Sequence, residues 1–75
     1  MAEAFIFVNC LLTMTGVVEN MAKVTEGVLE AYPTTGLYDL ILKVKAPDVI
    51  TLQNVLKKIK SIQGVAATVT SIIYK

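Results

Sequence analysis

Few side chains in this sequence can do chemistry. It has no His and no Arg, a single Cys at position 10, seven Lys and six acids. General acid–base catalysis usually recruits His, or carboxylates held in a pocket. Here only Asp39, Tyr38 and Cys10 are candidates, and no two acids stand at a useful spacing. A transition-metal site would have to combine one thiol with scattered carboxylates, so neither a metal nor another cofactor is expected. Binding chemistry is the other possibility, and residue types alone do not single out a site for it. The segment Thr35-Gly36-Leu37-Tyr38 can present backbone N–H groups, and Gly36 lets a ligand come close. Asp39 follows with a negative charge. Thr68 and Thr70 stand two apart, so on a strand their hydroxyls share a face. Each residue also has a plainer reading. Gly36 can simply supply a turn, Asp39 can pair with Lys43 or be solvated, Tyr38 can be core, and Thr suits any strand.

Composition narrows the setting. Seventy-five residues is one domain, residues 1–75. A core this small is marginal alone, yet 55% of the residues are hydrophobic and only 17% charged. A monomer cannot hide that many apolar side chains, and a second copy of the chain is the simplest cover, so a homo-oligomer is expected. A membrane is not. The longest uncharged run, Ala4 to Val18, is fifteen residues with Asn9, two Thr and a Gly inside it. That falls short of the roughly 20 apolar residues of a spanning helix, and no basic n-region marks a signal peptide. Without Arg, and with Lys57, Lys58 and Lys60 fitting a solvated helix face, direct nucleic-acid binding is not expected. A lone Cys10 suits a reducing cytoplasm and reads as a small buried hydrophobe.

The elements that must position these residues follow from periodicity. Ala4–Leu12 is apolar on both faces and predicts a central strand, with Asn9 on the face of Phe5 and Phe7. Thr13–Gly16 turns, with Thr15 able to cap a short helix over Val17–Thr25. Val17, Val18, Met21 and Val24 would be its apolar face. After Gly27, Val28–Thr34 reads as an edge strand, because Pro33 donates no ladder hydrogen bond. Tyr38–Ala46 alternates cleanly: Tyr38, Leu40, Leu42 and Val44 on one face, Asp39, Ile41, Lys43 and Lys45 on the other. Pro47-Asp48 opens a helix to about Ile62, with Ile50, Leu52, Val55, Leu56, Ile59 and Ile62 as its stripe. Gly64 stops it, and Val65–Tyr74 is the last strand. Lys23-x-x-x-Gly27-Val28 and Lys60-x-x-x-Gly64-Val65 echo each other 37 residues apart, each at a helix-to-strand corner. The order βαββαβ predicts an α+β, ferredoxin-like fold, an antiparallel four-stranded sheet with two helices on one face. The bare face should carry the apolar excess and pack against a second sheet.

At Thr35-Gly36-Leu37-Tyr38-Asp39-Leu40 the sequence resembles the T-G-x-Y-D-L signature of the Lrp/AsnC regulators' effector domain, the regulation-of-amino-acid-metabolism (RAM) module. Glu26-Gly27-Val28-Leu29-Glu30-Ala31-Tyr32, the corner Ile62-Gln63-Gly64-Val65 and the pair Thr68-Val69-Thr70 extend the likeness over residues 3–74. The first residues already lie in a strand, so the chain resembles a stand-alone RAM domain with no helix-turn-helix. The resemblance implies a dimeric α+β barrel: dimers joined sheet to sheet, then rings of dimers, with free amino acids or related metabolites bound between them. It also implies full-length regulators as partners. A ligand site follows from it, with Thr35, Gly36, Leu37, Tyr38, Asp39, Thr68 and Thr70 as its residues. Burying an ammonium and a carboxylate requires a partner for each. Asp39 would take the ammonium, and the turn N–H groups and the Thr hydroxyls the carboxylate. The expected function is non-catalytic sensing and oligomerisation. The alternatives are a ligand-free assembly adaptor and a small barrel enzyme.

Overall fold

The computed structural model describes residues 1–73. Its elements are β1 (Ala2–Cys10), α1 (Thr15–Lys23), β2 (Val28–Pro33), β3 (Leu40–Ala46), α2 (Val49–Lys60) and β4 (Val65–Ile73). All ladders are antiparallel, in the order β2-β3-β1-β4. The expected βαββαβ order, the central β1 and the edge position of β2 are all present. Tyr74, expected to end the last strand, lies outside the described residues.

One sheet face is the core. Ala4, Ile6 and Val8 of β1 and Leu40, Leu42, Val44 and Ala46 of β3 are buried with Val18 and Ala22 of α1 and Leu52, Val55 and Ile59 of α2. Strand alternation sends every second residue to this face, and the two helices seal it. The 37-residue echo has a physical basis here. Gly27 and Gly64 both hold positive φ, 97° and 102°. Each corner runs beneath the opposite helix. A β-carbon at Gly27 would lie 2.7 Å from Val55 Cγ2 of α2, and one at Gly64 would lie 2.9 Å from Met14 Cβ at the start of α1.

Several boundaries and faces differ from expectation. β1 starts and ends two residues early, because Leu11 N–H turns to the Gly64 carbonyl at 2.7 Å and Thr13 adopts a left-handed φ of 67°. Leu11 and Leu12 are therefore loop residues and exposed. Thr15 does not cap α1. Met14 occupies the cap position with no side-chain bond, and Thr15 is the first helical residue. The helix is rotated from the expected face: Val18 and Ala22 are buried, while Val17, Met21 and Val24 are exposed. Four-residue spacing from Met14 through Val18 to Ala22 meets the core because Gly64 admits close approach there. Likewise α2 ends at Lys60, and Ile50 of its expected stripe is exposed.

Asp48 caps α2 by accepting the Thr51 N–H at 2.7 Å, one place before the helix rather than inside its first turn. That backbone bond holds the Asp48 carboxyl below the ordinary aspartate value. A depressed native pKa gives stability that is present above the unfolded value and lost as pH falls through the folded one. Asp48→Ala should therefore lower the melting temperature at neutral pH. The gap from wild type should close on acidification below the carboxylate range, as followed by circular dichroism. A gap that stayed constant with pH would contradict this.

Candidate functional site

The bare face of the sheet and the end of it that carries the β2–β3 turn are the two places where chemistry concentrates. On the face, Phe5, Phe7 and Asn9 of β1 lie beside Ile41 and Lys43 of β3, Glu30 and Tyr32 of β2, and Val69 and Ser71 of β4. Apolar groups hold the middle. Opposite charges stand across from one another, Glu30 with Lys43 and Glu3 with Lys45, as favourable cross-strand pairs do. The expectation that this face gathers the apolar excess holds only in part. Leu11, Leu12, Val17, Met21, Val24, Val49 and Ile50 are also exposed and lie on the loop and helices.

At the sheet end, Thr34 closes the turn twice. Its N–H donates to the Asp39 carbonyl at 2.9 Å, and its hydroxyl donates to the Tyr38 carbonyl at 2.6 Å. Gly36 has φ 105° with open space around it, so it serves backbone geometry and clears the approach. The N–H groups of Thr35, Gly36, Leu37 and Tyr38 make no hydrogen bond among the described residues. A turn of this kind offers donors to an anion. Leu37 is 87% exposed at its tip.

Tyr38 and Asp39 precede β3 rather than belonging to it. Tyr38 accordingly leaves the core face expected for it. Its ring lies 5.3 Å from that of Phe7, on the bare side. Asp39 does not pair with Lys43 either. Its N–H donates to the Val8 carbonyl at 2.9 Å, and its Oδ2 accepts the Cys10 N–H at 2.7 Å. Cys10 is half-buried rather than buried. Burial pushes its thiol up, the Thr15 hydroxyl opposes this, and the Asp39 charge adds to it. A raised thiol is protonated at neutral pH and a poor nucleophile.

Thr68 and Thr70 are half-buried on β4, opposite Val8 and Ile6, and so lie on the helix side of the sheet. β1 separates them from the turn. Within one protomer the structure gathers Thr35, Gly36, Leu37, Tyr38 and Asp39 at one end and leaves the Thr pair apart. Periodicity missed the first two residues of the β1–α1 loop. Leu11 and Leu12 extend the apolar run and read as strand, yet they sit exposed at the same end of the sheet as Leu37. Only the positive φ of Thr13 and the bulge at Asn9/Cys10 take them out of the sheet.

The family model for the Lrp/AsnC ligand-binding domain matches residues 3–75. The chain belongs to this family. Curated relatives of the domain are parts of longer proteins. A homocitrate synthase of Sulfurisphaera tokodaii is 35% identical over 74 residues, which are 97% of this chain and 16% of that enzyme. The HTH-type transcriptional regulator FL11 of Pyrococcus horikoshii is 42% identical over 59 residues, 79% of this chain and 38% of the regulator. The chain thus spans well under half the length of these relatives. Among solved structures, TTHA0845 of Thermus thermophilus superposes with a TM-score of 0.93 at 29% identity, covering 100% of this chain and 95% of its own. The regulator NMB0573 of Neisseria meningitidis, solved as a complex with L-methionine, shares the fold at a TM-score of 0.83 and 23% identity. It covers 99% of this Lrp/AsnC-type chain and 50% of its own. No helix among the described residues is long and apolar enough to cross a membrane.

Proposed function

We propose that this Lrp/AsnC ligand-binding domain is a non-catalytic, cytoplasmic sensor of a free amino acid or related metabolite, acting as an oligomer. One observation carries the reading. Among the described residues the four adjacent N–H groups of Thr35 to Tyr38 make no hydrogen bond, and the acidic Asp39 follows them directly in the chain. The two ends of an amino acid need those two kinds of partner if they are to leave water. The L-methionine bound by NMB0573 is in keeping with it. In this reading the exposed Leu37, Leu11 and Leu12 meet an apolar ligand side chain, and Thr68 and Thr70 come to the ligand from another copy. Copies join sheet to sheet through the Phe5, Phe7 and Val69 face, and the dimers then form a ring. The module co-assembles with full-length Lrp/AsnC regulators. A second reading rests on the 35% identity with homocitrate synthase: the module's output is an enzyme's activity rather than transcription.

A thermal-shift screen of the common L-amino acids tests the sensor reading. At about 100 times its Kd a ligand adds about 2.7 kcal/mol to the native state, a rise of roughly 10–20 °C for a domain of this size. At least one amino acid should produce a shift of this kind. A flat screen at millimolar ligand would remove the sensor and leave an assembly module.

A further inference from the structure

Asp39 sits where three segments meet. Its N–H holds the Val8 carbonyl of β1 and its carbonyl holds the Thr34 N–H at the end of β2. Its carboxylate holds the Cys10 N–H at 2.7 Å. Cys10 is also where β1 changes register. Asn9 pairs with Ala67, but Cys10 pairs with Val65, so one residue of β4 is skipped. Beyond it the chain leaves the sheet through Leu11, Leu12 and the left-handed Thr13 into α1. Such an irregular step, here with Ala66 of β4 as the extra residue, is a place where a strand end can shift without loss of the core, because it already interrupts the ladder.

We infer that Asp39 is a relay: its carboxylate is divided between the Cys10 N–H at the end of β1 and the ligand, so that occupancy of the turn changes the β1–α1 loop. The inference rests on the amino-acid reading above and adds how binding is felt elsewhere in the fold. Charge-assisted hydrogen bonds to a carboxylate are short and strong because the acceptor carries a full charge. An ammonium seated on Asp39 draws on that same charge and pulls the carboxylate toward the open N–H groups of the turn. The Cys10 N–H then loses its acceptor. The Leu11 N–H still holds the Gly64 carbonyl at 2.7 Å, so the Leu11-Leu12-Thr13 segment is loosened rather than freed. That segment presents two exposed leucines, so its movement changes an apolar surface. Asp39 is a positioning residue for the loop as well as a contact for the ligand.

Backbone amide NMR on the full chain tests this, with a mixture of the common L-amino acids as the probe. Bound ligand should shift the Gly36 and Tyr38 amides. It should also move the Cys10 amide upfield and speed its hydrogen exchange at least tenfold, with Leu11 and Leu12 following. Asp39→Asn keeps an oxygen acceptor for Cys10 but no charge for an ammonium. It should retain the Cys10 protection and lose the response to amino acids. Asp39→Ala should show the fast-exchanging Cys10 amide without any ligand. The relay is overturned if the turn amides respond while Cys10 keeps its shift and exchange rate, and the ligand site then stands alone. It is also overturned if Asp39→Ala leaves the Cys10 amide as in wild type. If no amide moves on addition of the mixture, the sensor reading fails and the relay fails with it.

Discussion

Leu42→Ala should destabilise the fold by about 3 kcal/mol, lowering the melting temperature by roughly 10–20 °C. Leu42 is fully buried in β3, between Ile6 of β1 and Ala31 of β2 in register. Truncation removes its share of burial and leaves a cavity that a sheet pinned on both sides cannot close. A small domain has only a few kcal/mol to lose, so this loss is a large fraction of the total. Circular dichroism melts at one fixed protein concentration measure it, since association also contributes to apparent stability. Leu12→Ala is the control. Leu12 is 90% exposed, and its removal should stay within about 0.5 kcal/mol. Equal losses at the two positions would contradict the burial pattern.

If copies join sheet to sheet as proposed, Phe5→Asp should leave the fold intact and dissolve the oligomer. Phe5 lies on the bare sheet face, 36% exposed, with Lys43 and Ser71 as its cross-strand neighbours. In a single copy the new carboxylate remains hydrated and stands opposite Lys43, so stability changes little. Between two sheets it would be buried with only Lys43 nearby, which already stands opposite Glu30, and such burial is strongly unfavourable. A penalty of about 3 kcal/mol weakens association by roughly 100-fold or more. Sedimentation should then show a monomer, with a far-ultraviolet spectrum like that of wild type. A variant that stayed dimeric at micromolar concentration would rule out joining through this face and move the interface to the loop and helix surface of Leu12, Val17, Met21 and Val24.

The grouping of the candidate turn was legible in the sequence, and its wiring was not. Thr35-Gly36-Leu37-Tyr38-Asp39 stands together because it is one short loop, and sequence neighbours in a turn remain spatial neighbours. The Thr pair was grouped with the turn by resemblance, yet β1 lies between them in one protomer. Strand parity told that Thr68 and Thr70 share a face, but only the register with Val8 and Ile6 told which face. Asp39 had Lys43 as its nearest sequence partner of opposite charge. It chose a backbone N–H at Cys10, 29 residues away, and no local pattern encodes that contact.

The helices show the same division. α2 was legible because six apolar positions leave little freedom in its orientation, although Ile50 proved exposed. In α1 the larger apolar side chains, Val17, Val18 and Met21, with Val24 just beyond the end, suggested one face, but the buried residues are Val18 and the small Ala22. Packing selected that face, through the glycine at position 64 that lets Met14 and Val18 come close.

By itself the sequence determined the element order, the clean alternation of β3, the edge role forced by Pro33 and the glycine corners. These depend on periods and backbone restrictions that act within a few residues. Tertiary structure alone decided where β1 ends, which side α1 buries, and what Asp39 holds. Those outcomes are set by register and by contacts between residues far apart in the chain, whose energies no local stretch of sequence contains.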